Sequence, residues 1–381
     1  MSELFRTGGP HNIRRTGPDR FELSVSIPKD SDGRTARECP RSGCSPGYFK
    51  VKCGTGVQHQ TEAFCPYCRA VGKPSDFTTK EQVQYAKDIA AAQAHEGVQR
   101  MLKESLDLDS QGRRQLVGGL LNVSIEMKPS SAPQVRRPWE SILKRDVVCP
   151  RCTLNHSVYG LAVWCADCGE DIFSTHVRGE INVIRAMLAD VDRRRELLGE
   201  RVAAKDIENA LEDLVSVFEA TLKIELRRFF LSQEVLETDV DANMRRIGSR
   251  MQSVSNAVGI VAEHCNGLPL FADATVLNAL SLVFEKRHPI THNLGVVDRK
   301  YLERARSGGA EGKEVRVSKQ EIEEAAEICF KVLEDFHLRL FPDSLPAALA
   351  SAKPSEQENG QAPIPAPASQ PSATSIPGAT P

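Results

Sequence analysis

Eight cysteines in two sets of four are the residues of this chain whose types and spacing best suit chemistry. Cys149-Pro-Arg-Cys152 and Cys165-Ala-Asp-Cys168 are two C-x2-C turns with twelve residues between them. Zinc takes four thiolates in a tetrahedron, and each such turn delivers two of them from one tight loop. Between the turns, Tyr159, Leu161 and Val163 alternate in phase with Cys165, as one arm of a hairpin would. A second set consists of Cys39-x4-Cys44 and Cys65-Pro-Tyr-Cys68, twenty residues apart around the strand-like YFKVK. Its expected ligands are Cys39, Cys44, Cys65 and Cys68, with Cys53 or His59 as a replacement for one of them. Cys53 is also in phase with Phe49 and Val51, which is a core-facing position.

Both sets thus predict a zinc ribbon, and two structural zinc ions per chain. Metal binding supplies the folding energy that a short hairpin cannot draw from its own core. Four thiolates leave no open coordination position, which excludes the water-activating zinc of hydrolases and deaminases. Cys265 and Cys329 fall on apolar helical stripes and read as inert core thiols. The odd total of 11 cysteines and the absence of an apolar leader in MSELFRTGGPHNIRR point away from a disulfide framework. They predict metal in a reducing, cytoplasmic compartment.

The second candidate for chemistry is FEKRHPITHNLGVVDRKYLERA, residues 284–305. The spacing Arg-x4-His occurs three times in the chain, at Arg6–His11, Arg151–His156 and Arg287–His292, so spacing alone selects nothing. Context separates the third. Leu277, Leu280 and Phe284 form an apolar stripe that brings Arg287 and His288 out at a helix end. Pro289 is expected to break that helix and hold His292 in the turn that follows. A histidine near pH 7 can act as general acid or base, and an arginine can neutralise a phosphate.

This segment resembles the signature of the HEPN superfamily, helical domains with an Arg-x4–6-His motif. The residue after the arginine is polar, here His288, and the run HNLGVVDRKYL adds Asp298 and Tyr301 to the likeness. The resemblance spans residues 176–341 by helix content, and its specific part is the motif segment. It implies a metal-independent endoribonuclease acting on RNA as a homodimer. The 2′-hydroxyl would attack the adjacent phosphate and leave a 2′,3′-cyclic phosphate. His292 would then be the acid–base group, Arg287 the phosphate stabiliser, His288 an orienting or assisting group, and Asn293 the residue closing the loop. Glu219 and Glu225 are the candidates for the acidic residue that some members supply from an earlier helix. The implied role is a defence or stress-response effector, under the control of a regulatory protein partner. The family also contains non-catalytic members. The alternative is therefore a zinc-ribbon and helical scaffold that binds nucleic acid or protein and dimerises.

The elements that must position these groups follow from periodicity. Phe21, Leu23, Val25 and Ile27 alternate with polar residues, as do Leu121, Val123, Ile125 and Met127, and both read as strands. Thr78 and Glu81 form a capping box for a helix ending near Leu108. Ile207, Leu211, Leu214, Phe218, Leu222 and Phe229 mark one face of a long helix. The residues from Met244 to Cys265 step by three and four over three heptads, as a dimer interface or, more simply, a core helix would. Ser318 and Glu321 cap a last helix carrying Ile322, Cys329, Leu333, Phe336 and Leu340. With a first helix near Arg178–Leu198, the region predicts a bundle of about five helices.

The expected class is α+β and multidomain. Residues 1–30 form an arm with a short strand, 31–77 the first zinc ribbon, 78–110 a connecting helix, and 111–175 a strand plus the second ribbon. Residues 176–341 form the helical bundle of HEPN type. Residues 342–381 form a disordered tail, with eight prolines and no aromatic residue after position 342. The basic residues Arg136, Arg137, Lys144 and Arg145 surround Trp139, suited to a phosphate backbone and a stacked base, or to a linker that Trp139 anchors. Forty-nine Lys+Arg against 51 Asp+Glu exclude a globally basic nucleic-acid binder, so any RNA must be gripped by local clusters. No apolar run reaches the length of a membrane-spanning helix, so no membrane partner is expected.

Overall fold

The computed structural model describes residues 5, 12–18, 20–118, 121–128, 130–305 and 310–344. The proline-rich segment beyond position 344, expected to be disordered, lies outside the described residues. Its expected first residues, Pro342–Ser344, form a short 3-10 turn after the last helix. The architecture is small antiparallel sheets in the N-terminal half followed by a mostly helical region. Among the described residues no helix is long and apolar enough to cross a membrane.

Two hairpins stand apart in the N-terminal half. Strands β1 (Asn12–Arg15) and β2 (Phe21–Ser24) pair with each other, and Val25 and Ile27 continue beyond the strand. The central sheet contains β3 (Arg34–Glu38), β4 (Tyr48–Lys52), β9 (Arg145–Val148) and β10 (Asn155–Val158), in the order β3-β4-β10-β9. Phe49 and Val51 of β4 are buried, and the ring of Phe49 meets that of Phe77 edge-on at 6.0 Å. Lys50 between them is buried too, its Nζ 2.9 Å from both Asp30 and Glu140. Two carboxylates make that burial tolerable, because an unpaired buried ammonium is costly. The short pair β5 (Ala63–Phe64) and β6 (Val71–Gly72) closes one cysteine turn, and β7 (Arg113–Gly118) with β8 (Leu121–Glu126) makes a further hairpin.

Helix α1 (Lys80–Ser105) is capped one residue later than expected, by Thr79 and Gln82 rather than Thr78 and Glu81. The reason is tertiary. The buried Gln82 amide accepts from the Thr79 N–H and donates to the Ala36 carbonyl of β3 at 2.9 Å. A carboxylate can cap but cannot donate.

The helical region is built on α2 (Phe173–Leu198), α3 (Glu200–Ser232) and α9 (Lys319–Leu340). Gly199, at φ +90°, joins α2 and α3 into an antiparallel pair. Only a residue without Cβ adopts that angle freely. Their facing stripes, including Ile181, Leu188, Leu211, Phe218 and Leu222, merge with Cys329 and Phe336 of α9 in one core. Ser318 and Glu321 cap α9 as the sequence predicts.

The heptad-like stripe from Met244 to Cys265 is not one helix. It is split into α4 (Glu237–Ile247), a 3-10 turn (Arg250–Gln252) and α5 (Val254–His264). Gly248 at φ +53° ends α4, and the turn lets Ile247, Met251 and Val254 all reach the core although the axis changes direction. Three further helices follow, α6 (Ala274–Glu285), α7 (Arg287–His292) and α8 (Arg299–Ala305). The described residues of this region thus hold eight α-helices rather than about five.

Candidate metal centres and histidine site

Each cysteine turn is shaped by backbone hydrogen bonds before any metal is considered. The Cys65 N–H donates to the Ala70 carbonyl and the Arg69 N–H to the Cys65 carbonyl; Cys165, Gly169 and Glu170 repeat the same two bonds. The residue after the second cysteine is left-handed in each C-x2-C turn: Arg69 at φ +59°, Thr153 at +62° and Gly169 at +66°. Gly169 has a further constraint, since a Cβ there would lie 2.8 Å from the Phe64 ring.

These turns bring together Cys39, Cys44, Cys65 and Cys68 in one group, and Cys149, Cys152, Cys165 and Cys168 in another, with all sulfurs of a group within 4.8 Å of one another. Sulfur–sulfur distances are 3.6 Å for Cys39–Cys68, 3.7 Å for Cys44–Cys65, 3.7 Å for Cys149–Cys168 and 3.5 Å for Cys152–Cys165. A tetrahedron with metal–sulfur bonds of about 2.3 Å has edges of about 3.8 Å, so the spacing fits a four-coordinate metal ion. It is far too long for a disulfide, whose S–S length is about 2.0 Å. Cys53 and His59 take no part. Cys53 is exposed, its sulfur 3.1 Å from the Thr35 hydroxyl rather than facing a core, and His59 is exposed at φ +54°. Cys265 and Cys329 are buried apolar-core thiols.

The two groups share one sheet and one core. Strand β4, from the first cysteine set, pairs with β10, from the second, in the register Val51↔His156 and Phe49↔Val158. The Val163 N–H donates to the Pro66 carbonyl and the Phe64 N–H to the Ala166 carbonyl, so each turn is bonded to its counterpart. The strand of the second set covers Asn155–Val158, one step before the expected Tyr159–Val163 arm. Leu161 and Val163 are buried, but in the core of the helical region. Trp139 anchors nothing: it is 71% exposed. Its neighbours Glu140, paired with Lys50, and Ser141, whose N–H donates to the Tyr48 hydroxyl, hold that segment instead.

The four histidine-site residues lie on α7 and its C-cap. α6 ends at Glu285, Lys286 stays helical, and the chain turns directly into α7. Pro289 does not break the helix there. It occupies the first turn of α7, where a missing N–H has no intrahelical acceptor to lose. His292 is therefore the last residue of the helix, with the Asn293 and Gly295 N–H groups both donating to the Pro289 carbonyl at 2.9 Å.

His288 and His292 are one turn apart, with ring centroids separated by 5.0 Å. His292 is exposed and His288 half-buried. Asp298 organises the surroundings: it accepts from the Asn293 amide at 2.8 Å and from the Tyr301 N–H at 2.7 Å, and lies 4.0 Å from His288 Nε2. Burial, with Lys300 and His292 nearby, lowers the pKa of His288, and Asp298 opposes this. Arg287 points elsewhere. Its guanidinium donates to Gln252 Oε1 at 2.9 Å, and Gln252 Nε2 donates to Glu219 Oε2 at 2.8 Å. Among the described residues Arg287 makes no hydrogen bond to either imidazole. Of the two acidic candidates, Glu219 lies on the arginine's side of the site, whereas Glu225 is fully buried against His337.

Comparison with protein-family models, curated proteins and solved structures finds no match.

Sequence reasoning missed one cluster of charges, formed by Asp171, Glu225, Arg228 and His337 between α2, α3 and α9. A signal was present: Glu225 falls beside Leu222 and Leu226 on an apolar helical face, where a carboxylate needs a buried partner.

Proposed function

We propose that each four-cysteine group holds one structural zinc ion, and that α7 carries the acid–base site of a metal-independent endoribonuclease of HEPN type. The observation that supports the catalytic reading is the His288–His292 pair, two imidazoles at 5.0 Å on one exposed helix end. A neutral imidazole can take the proton of an attacking hydroxyl while a protonated one supplies a leaving oxygen. The lowered pKa of His288 favours its neutral form. In this reading His292 is the exposed acid–base group, His288 assists it, and Asn293 fixes the loop through Asp298. Arg287 exchanges the neutral oxygen of Gln252 for a phosphate oxygen, a stronger charge-assisted partner.

The substrate comes from the family resemblance. RNA offers the 2′-hydroxyl that such a site needs, and DNA does not. Two copies in a homodimer would face their motifs across one cleft. The domain organisation of the sequence reading, with a zinc-bearing N-terminal half and an HEPN-type bundle over 176–341, belongs to the same proposal, as does a cytoplasmic role in defence or stress. Zinc contributes folding energy and no chemistry here, because four thiolates close its coordination.

The test is RNA cleavage by the purified full chain, with EDTA at a level that leaves bound zinc in place, beside His292→Ala and a DNA of the same sequence. Cleavage of RNA alone, abolished in the variant, supports the proposal. Equal cleavage by both proteins, or by neither, rejects it.

A second reading has an observation of its own. The tie from Arg287 through Gln252 to Glu219 is a complete structural arrangement, as expected of a non-catalytic scaffold that dimerises and binds nucleic acid or protein. In that case His292→Ala shifts the melting temperature and leaves partner binding unchanged.

A further inference from the structure

One cavity lies where the cysteine-bearing half meets α3, away from the histidine site. It has a volume of about 410 Å³ and is bounded by the Cys44 and Cys68 turns, by Trp164 and by one side of α3. Its floor is apolar, from Leu161, Val163, Ile224 and Leu231. Its rim is cationic, with Arg41, Arg69, Arg227 and Arg228 against the single acidic side chain of Glu237.

The four arginines are not equivalent. Arg41 is paired with Glu237 at 2.9 Å, Arg227 with Asp241 at 2.5 Å and Arg228 with Asp171 at 2.8 Å. These carboxylates hold three guanidiniums in place around the opening. Arg69 has no carboxylate within ion-pair distance among the described residues. Its guanidinium lies over the Trp164 ring, 4.2 Å from the centroid, and that of Arg228 lies over the same ring at 4.4 Å. Two cations on one indole repel each other, and a cation–π contact contributes only about 0.5–2 kcal/mol. Asp171 already neutralises Arg228, so among the described residues the Arg69 guanidinium is the one of this pair that offers its charge to an added anion. The backbone of Arg69 is fixed by the Cys65 turn at φ +59°, so its side chain starts from a rigid base.

We propose that this cavity binds a small amphipathic anion: an oxyanion head, phosphate or carboxylate, on Arg69, with an apolar body on the Leu161–Leu231 floor. A guanidinium presents a planar fork that matches either head. The volume falls in the range of about 300–1,000 Å³ typical of small-molecule sites, as does the pattern of apolar walls with few charged groups. The site lies between the two halves of the chain, so its ligand would couple the metal-bearing sheet to the helical core. The proposal stands whether or not α7 cleaves RNA.

The test exploits the presence of only two tryptophans in the chain. In a Trp139→Phe background the emission reports Trp164 alone. Adenosine monophosphate and indole-3-acetate supply the two head groups, for emission and calorimetric titration respectively; inorganic phosphate and adenosine supply separated halves. At least one amphipathic anion should bind tenfold or more tightly than the halves, and AMP should quench Trp164 if the phosphate head is the right one. Arg69→Ala should weaken binding at least tenfold with only a small drop in melting temperature, since among the described residues Arg69 holds no ion pair and loses only its contact with Trp164. Binding of neither probe below millimolar concentration, or equal binding by Arg69→Ala, overturns the proposal.

Discussion

His337 lies between two carboxylates, its Nδ1 3.1 Å from Glu225 Oε1 and its Nε2 3.4 Å from Asp171 Oδ2. Its ring stacks on Phe173 at 4.3 Å, and Asp171 also receives Arg228. The arrangement joins the start of α2 to the ends of α3 and α9 through the buried Glu225 and His337 and the partly exposed Asp171 and Arg228. Burial would lower the pKa of His337, but hydrogen bonds to Asp171 and Glu225 outweigh it and raise the value from 6.5 to about 9.

That shift sets a pH dependence. The folded-state pKa is above the unfolded one, so the stabilisation is fully present below pH 6.5 and is lost as pH rises towards 9. Glu225 is shifted upward by burial and acts in the same direction. The melting temperature should therefore fall across this window, and a flat profile would rule the account out. His337→Leu should cost about 3–5 kcal/mol near pH 6, because it removes the imidazolium bonded to the buried Glu225. Adding Glu225→Leu should recover much of that loss.

The shared sheet predicts how metal loss spreads. Metal analysis of the full chain should give two ions, and Cys149→Ser should bind one fewer. Because β4 and β10 pair across the two cysteine sets, the variant should also weaken the hold on the remaining ion. Competition with a colourimetric chelator measures this. An unchanged affinity at the remaining group would mean that the two groups fold independently.

Gly169 tests the turn geometry directly. Gly169→Ala should lower stability by about 1–3 kcal/mol, combining a left-handed backbone with overpacking. Phe64→Leu in the same chain should restore part of the loss, because the new methyl meets the Phe64 ring. Denaturant melts of the two single variants and the double variant would show the coupling.

Asp298 is the charge that opposes the downward shift of His288. Asp298→Asn should lower the His288 pKa further, as read by NMR titration of its ring protons. An unchanged or raised value would place Asp298 outside the field of that imidazole. In the RNA-cleaving reading, the same variant should also move the pH–rate profile to lower pH.

Much of the local structure was legible in the residues. Three of the four cysteine pairs follow from C-x2-C spacing, because a tight turn alone brings two sulfurs together, and Cys39-x4-Cys44 supplies the fourth. Ser318 and Glu321 mark the start of α9 because a capping box is satisfied within four residues. The α3 stripe follows from a 3.6-residue period. The expectations that failed did so for different physical reasons. Gln82 displaces Glu81 from the α1 cap because its amide also reaches Ala36. The Met244–Cys265 period continues through a break at Gly248, since a periodic pattern records which residues face a core and not whether one axis carries them.

The chain by itself thus determined the Cys149–Cys168 set, the main helical stripes and the Arg287–His292 segment, and left Cys53 and His59 open as ligands of the first set. Tertiary structure alone decided that both cysteine sets lie on one sheet, that Arg287 turns from the imidazoles to Gln252, and that His337 meets Glu225. Turns, caps and helical faces are satisfied by neighbours a few residues apart, so composition and spacing reveal them. Strand pairing between β4 and β10, and the burial of one charge against another 112 residues distant, depend on which surfaces the folded chain brings together.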